Sequence, residues 1–172
     1  MKKIAKFLTL GVVMLAFSAA SFGQVSATAL TSATIVSGLT ITNSGALDFG
    51  TIVTGTAGTV TIGTDGTRAT DGPVLNNTNN GRAATFDVSG TAELTYSIAI
   101  SPESLLITHT TLPGNTMTVD NFQSNPGEGN TGELDLAGEQ TISVGGDLTV
   151  DAAQVPGTYQ NAADLTVTIN YN

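Results

Sequence analysis

Leu165-Thr166-Val167-Thr168-Ile169-Asn170-Tyr171, followed by Asn172, is the stretch on which the fold turns. Leu165, Val167, Ile169 and Tyr171 alternate with Thr166, Thr168 and Asn170, so in an extended strand the four apolar side chains share one face. A half-buried strand is therefore predicted there. Such a strand either closes a sandwich or offers a surface to another protein.

The same period of two recurs upstream. Val60 and Ile62 alternate within Gly58–Gly63 and run into Thr64-Asp65-Gly66-Thr67, a hairpin signal. Ala84, Phe86 and Val88 alternate, as do Leu94, Tyr96, Ile98 and Ile100 after the Ser89-Gly90 turn, and Pro102 ends that run. Leu105–Thr108 and Met117–Phe122 flank Leu112-Pro113-Gly114-Asn115, where Pro fixes φ and Gly accepts a positive one. Leu47–Val53, Val74-Leu75, Leu134, Leu136, Ile142 and Val144 mark further strands. Gly145-Gly146 reads as a turn into Leu148–Val150, and Val155-Pro156-Gly157 leads to a final strand from Thr158 onward. The first core strand is expected within Ala27–Ile41, bent at Ser37-Gly38. About ten short strands at these spacings, with no helical periodicity, predict an all-β antiparallel sandwich.

Met1–Gly23 reads as a secretory signal peptide. Lys2, Lys3 and Lys6 supply the basic region, Phe7–Ala20 the apolar one, and Ser21 and Gly23 suit cleavage before Gln24. The apolar run falls short of the roughly 20 residues that span a bilayer, so no stable membrane insertion is expected after cleavage. The mature chain, 24–172, is then expected to be one β-sandwich domain, exported to the periplasm, the cell surface or the medium. Without the leader, Arg68 and Arg82 stand against 14 acidic residues, a net charge of −12. Such a surface repels nucleic acid and anionic membranes and favours solubility. The chain has no Cys, so stability must come from packing and backbone pairing rather than disulfides.

The residues that usually carry chemistry are sparse. One His and no Cys argue against zinc, haem and iron–sulfur centres, and no cofactor is expected. His109 is read as a strand-end residue facing solvent rather than as the base of a triad. Glu128, Glu133, Asp135 and Glu139 read as a solvated loop, with weak calcium binding or glycoside chemistry as the alternatives. Tyr96, Tyr159 and Tyr171 are expected to pack in the core with the hydroxyl at its edge, and with no Trp present a sugar-stacking platform is disfavoured. No catalysis is expected.

Gly38 to Ile52, ending in Leu47-Asp48-Phe49-Gly50-Thr51-Ile52, together with Gly157-Thr158-Tyr159 and the terminal strand, resembles the secreted bacterial β-sandwich proteins of the domain of unknown function 4402 family. More distantly, the chain resembles spore coat protein U and chaperone–usher pilins. The pilin resemblance implies an immunoglobulin-like sandwich that lacks its last strand. A periplasmic chaperone, and later a second subunit, would supply one by β-strand addition. Penultimate Tyr171 and the terminal alternation fit that pattern, while Gly157 stands two residues further from the end than the pilin glycine.

These readings lead to an expected structural subunit of a fimbria-like appendage or coat. Leu165, Val167, Ile169 and Tyr171 would form the acceptor face, and Val25, Ala27, Ala29, Thr31 and Ala33 the donor face of a second copy. The alternative is a monomeric adhesin or glycan-binding module that recognises its target through loops Asn76–Gly81 and Gln123–Gly132.

Overall fold

The computed structural model describes residues 24–76, 78–127, 131–161 and 165–172; the leader expected at Met1–Gly23 and Glu128 of the acidic loop lie outside them. Ile35–Asn172 forms one compact unit. Residues 24–34 carry no secondary structure and are exposed throughout.

No helix occurs among the described residues, and the strands pair only antiparallel. They are β1 (Thr40–Gly45), β2 (Thr51–Val53), β3 (Gly58–Ile62), β4 (Arg68–Asp71), β5 (Val74–Asn76), β6 (Ala84–Ser89), β7 (Thr95–Ser101), β8 (Ser104–His109), β9 (Thr116–Asn125), β10 (Thr131–Glu133), β11 (Glu139–Val150), β12 (Tyr159–Gln160) and β13 (Thr166–Tyr171). The large sheet has the order β1-β6-β11-β9-β8-β12, and β3, which pairs with β11, brings β4 to the same sheet. A second sheet, β10-β7-β13, and a β2-β5 ribbon complete an antiparallel β-sandwich.

β11 is the spine of the large sheet. Glu139–Val144 pairs with β6, and Gly146–Val150 pairs with β3, so one strand spans two storeys of the fold. Gly145-Gly146 is therefore no turn, in contrast to the sequence expectation. The pairing with β9 slips here, with Asn121 and Phe122 of β9 opposite Gly146 alone, so the extra residue of the bulge lies on β9 and β11 continues with its alternation intact. Both glycines are buried, and a Cβ on Gly145 would collide with the Ile62 carbonyl oxygen. Glycine is needed there for close approach of two backbones.

Two apolar clusters follow from the two storeys. Ala84, Phe86, Val88, Tyr96, Ile98, Leu134, Ile142, Val144 and Val167 form the first, between β6–β11 and the small sheet. Phe49, Val60, Ile62, Ala83, Met117, Val119, Leu148 and Val150 form the second.

Several expectations are corrected. The first strand begins at Thr40, because the alternating face upstream is mostly Ala and gains little by burial. β9 runs to Asn125 and β10 starts at Thr131, so the loop expected from Gln123 is shorter. Leu136 lies in a turn and is 84% exposed. Thr158 does not start the last strand, since Tyr159-Gln160 pairs with β8 and β13 begins at Thr166.

Candidate functional site

β13 pairs with β7 along its whole length, from Thr166 opposite Ser101 to Tyr171 opposite Tyr96. Among the described residues that is its one ladder partner, so its other side is a sheet edge. Val167 is buried, Ile169 and Tyr171 are half-buried, and Leu165 just before the strand is half-buried as well; all four pack on the first cluster. Thr166, Thr168 and Asn170 are exposed on the opposite face. The structure thus brings the four predicted acceptor residues together on one inward face.

Tyr171 also holds the entry of the chain. Its hydroxyl accepts the Thr91 N–H at 2.8 Å and donates to the Ser37 carbonyl at 3.0 Å. The Ser37 N–H donates to the Thr91 hydroxyl at 2.8 Å, which closes the clamp. Gly90 makes room for it, because a Cβ there would collide with the Tyr171 hydroxyl. The chain therefore enters the sandwich beside the end of β13 and continues into Leu39 and β1.

At the opposite end of β13, Leu165 is on the rim of an open groove of about 1180 Å³. Leu105, Ile107, Met117, Val119, Leu148 and Val150 from β8, β9 and β11 contribute apolar surface to it. Asp48–Ile52 and Gln154–Asn161 form its walls. Each wall is mostly irregular chain with only a short ladder, Thr51-Ile52 with β5 in the first and Tyr159-Gln160 with β8 in the second, and each is pinned further by side chains.

Arg68 pins the first wall. Its guanidinium donates to the carbonyls of Phe49 at 3.1 Å, Thr51 at 3.3 Å and Asn76 at 2.8 Å, a use of the planar fork that an ammonium cannot copy. Asp48 adds an acceptor for the Gly50 N–H at 2.7 Å.

His109 pins the second wall and is 5% exposed, which overturns its reading as a solvent-facing residue. Nδ1 accepts the N–H groups of Thr111 at 3.2 Å and Leu112 at 3.1 Å, so Nε2 carries the proton and donates to the Pro156 carbonyl at 3.1 Å. Tyr159 meets the ring edge-on at 5.0 Å between centroids. Gly157 lies against the ring, and a Cβ there would collide with Nε2. Tyr159 in turn donates to the Val155 carbonyl at 2.7 Å. His109 is thereby fully engaged in holding chain, and all of its polar contacts are structural.

Among the described residues, two ionisable groups have displaced affinities. Burial pushes the Tyr96 phenol above the ordinary tyrosine range, and its hydroxyl donates to Gln140 Oε1 at 2.6 Å. The Thr67 hydroxyl and N–H hold the Asp65 carboxyl below its usual value. Asp135 of the acidic loop accepts the N–H groups of Ala137 and Glu139, and no group of three potential metal ligands occurs among the described residues.

The predicted donor residues Val25, Ala27, Ala29, Thr31 and Ala33 lie in the exposed segment without secondary structure, with Val25 and Leu30 each 96% exposed. The groove was missed from sequence. Its signal was indirect: a lone His and one of the chain's two arginines, each placed where irregular chain needs a multivalent donor or acceptor.

The sequence model of one family, described as a domain of unknown function (DUF4402), matches residues 39–171. No curated protein and no solved structure matches the chain.

Proposed function

The chain belongs to the DUF4402 family, and from its open edge strand we propose that it is an exported, non-catalytic structural subunit of a surface appendage or coat that assembles by β-strand addition. One observation carries the reading. β13 is laddered on one side while its inner face is already part of the core, so a further strand would find both backbone partners and an apolar floor. The immunoglobulin-like comparison made from sequence fits this state, a sandwich short of its last strand. The groove at the Leu165 end supports it too, since it leaves apolar side chains of β8, β9 and β11 beside that edge.

The occupant is segment 24–34 of a second copy, with a periplasmic chaperone in its place before assembly. The segment is exposed, has no structure to lose and contains none of the chain's charged residues, so it can approach an acidic subunit without repulsion. Eleven extended residues span about 36 Å at about 3.3 Å each, enough to cover β13 and reach into the groove. Its inward residues are mainly Ala, so the new ladder contributes more of the affinity than apolar burial does.

The test compares residues 24–172 with a form lacking 24–33 by size-exclusion chromatography with light scattering and negative-stain microscopy. Oligomers or fibres from the first and a folded monomer from the second are expected. Equal assembly by both would overturn strand donation. A monodisperse monomer from the longer form at high concentration would direct attention to an adhesive role of the loops.

A further inference from the structure

The chain's two arginines are employed differently. The Arg68 guanidinium donates to three backbone carbonyls, whereas the Arg82 side chain makes a single bond among the described residues, from Nε to the Ala46 carbonyl at 3.4 Å. Arg82 is exposed and forms no ion pair there, although the chain carries 14 acidic residues. Its two terminal nitrogens are a free fork for an anion.

The ladder shows what surrounds this fork. β3 and β6 lie on the same side of β11, since Asp147 pairs with Thr61 and Ser143 with Thr85 while β9 takes the other side of both. Ala84 stands opposite Val144, so β3 cannot follow β11 beyond Ile62 and the chain leaves the sheet plane. The turn that follows is closed by Gly63 N–H to the Thr67 carbonyl at 2.8 Å and Gly66 N–H to the Gly63 carbonyl at 2.9 Å. Ala84, Phe86, Ile142 and Val144 are buried, so Thr85 and Ser143 face outward. Thr64 and Asp65 line the same concavity as these two, which sets the turn over the outer face of the sheet. β1 supplies the far side: its register slips between Asn43 and Gly45, and the extra residue Ser44 donates to the Thr85 hydroxyl at 3.1 Å. Arg82, just before β6, completes an open notch of about 540 Å³.

We infer that this notch binds one unit of an acidic sugar, with the sugar carboxylate on the Arg82 fork and its ring hydroxyls on Asp65, Thr85 and Ser143. The fork matches a carboxylate with two parallel N–H···O bonds. Asp65 Oδ1 accepts the Thr67 N–H and hydroxyl, and Oδ2 remains as an acceptor that a sugar hydroxyl can use. The Thr64 and Ser143 hydroxyls make no hydrogen bond among the described residues and can both donate and accept.

The composition of the notch narrows the ligand. No aromatic ring lines it among the described residues, so a neutral sugar finds no stacking surface and the carboxylate has to be the anchor. A plain anion would engage Arg82 but leave the Asp65 charge opposed to its own. A sugar acid keeps its carboxylate and its hydroxyl donors on different parts of one ring, which suits both groups. The acidity of the whole chain repels dense polyanions and leaves a single carboxylate among neutral hydroxyls as the better fit. Free uronate and a uronate unit within a polysaccharide present this same chemistry. The inference is independent of strand addition, since no residue of the notch belongs to β13 or to 24–34.

The test is ligand-observed saturation-transfer NMR on residues 24–172, a readout suited to weak sites and to assembled protein alike. The probes are glucuronate, glucose, acetate and a tetrasaccharide of alternating glucuronate and N-acetylglucosamine. Glucuronate is expected to bind in the millimolar range, with glucose and acetate weaker by about tenfold. Tighter binding of the tetrasaccharide would identify the ligand as a polysaccharide unit, and equal binding would identify it as the single sugar acid. Arg82→Gln should weaken glucuronate about tenfold, and Arg82→Lys, which keeps the charge without the fork, should fall between. Arg82 contributes one long bond to the fold, so unchanged thermal midpoints are expected for both variants. Ser143→Ala should weaken glucuronate several-fold and leave acetate unchanged. Equal binding of glucose or of acetate would overturn the assignment, as would a glucuronate signal that survives Arg82→Gln. Absence of transfer to glucuronate and to the tetrasaccharide at about 10 mM would overturn the site itself while leaving strand addition untouched.

Discussion

The two halves of β11 make the same kind of floor under two different roofs. Glu139–Gly145 lies beneath the β10-β7-β13 sheet, whose strands are held by their own ladders. Gly146–Val150 lies beneath the Asp48–Ile52 and Gln154–Asn161 walls, which have little ladder of their own and depend on Arg68, His109 and Tyr159. A regular roof excludes solvent through pairing. An irregular roof must borrow donors and acceptors from side chains, and here it leaves a groove. The difference teaches where the strand addition proposed above would begin: beside the end of the regular roof, where a ladder stops and an apolar floor continues.

The comparison predicts unequal losses when one side chain is removed from each floor. Ile142 is fully buried in the closed half, so Ile142→Ala should cost about 4 kcal/mol by creating an enclosed cavity. Met117 borders the groove, and Met117→Ala should cost about 2 kcal/mol, because no sealed void results. Urea titrations of the two variants measure both values. Equal losses would mean that the groove is sealed in solution, and the contrast between the halves would fall.

The closed half was largely legible in the sequence, and the open half was not. β13, β7 and β6 announce themselves through local alternation, and the ladder then follows from each strand's own pattern. Ile142, Val144, Leu148 and Val150 also share one parity, yet the intervening Gly145-Gly146 carries the signal of a turn. Only the close approach of the Ile62 carbonyl shows that Gly145 serves backbone packing within a strand rather than a turn. The environment of His109 could not be read at all, since Pro156, Gly157 and Tyr159 reach it from almost 50 residues further along. The inward face of β13 was therefore visible as a local pattern, whereas the groove depends on segments that are far apart in the chain.

Breaking a pin should cost less than opening the closed core. His109→Ala leaves the N–H groups of Thr111 and Leu112 and the Pro156 carbonyl without their present partners and empties the space against Gly157. A loss of about 2–3 kcal/mol is expected, with hydrogen exchange accelerating in 110–115 and 154–159 and little change in β6 or β7. Acceleration spread evenly over both halves would show that the two roofs do not open independently. Nitrogen chemical shifts of the His109 ring in the intact protein should report a proton on Nε2.

The smallest effect belongs to the closed half and appears only in alkali. Tyr96 is buried against Gly132, and its phenol donates to Gln140 Oε1, which also accepts the Glu133 N–H at 3.1 Å. Burial opposes the phenolate, so the folded-state affinity for the proton exceeds that of the unfolded chain. The sign follows by linkage. Below the unfolded tyrosine value of about 10 both states hold the proton and the stabilisation is complete, and it is lost as pH rises through the higher folded value. Stability measured from pH 8 upward should stay level and then fall above about pH 10. Tyr96→Phe should start about 1 kcal/mol lower and show a shallower alkaline fall. If the two curves fall in parallel, the alkaline loss does not come from Tyr96, and the closed roof would be less dry than its ladder implies.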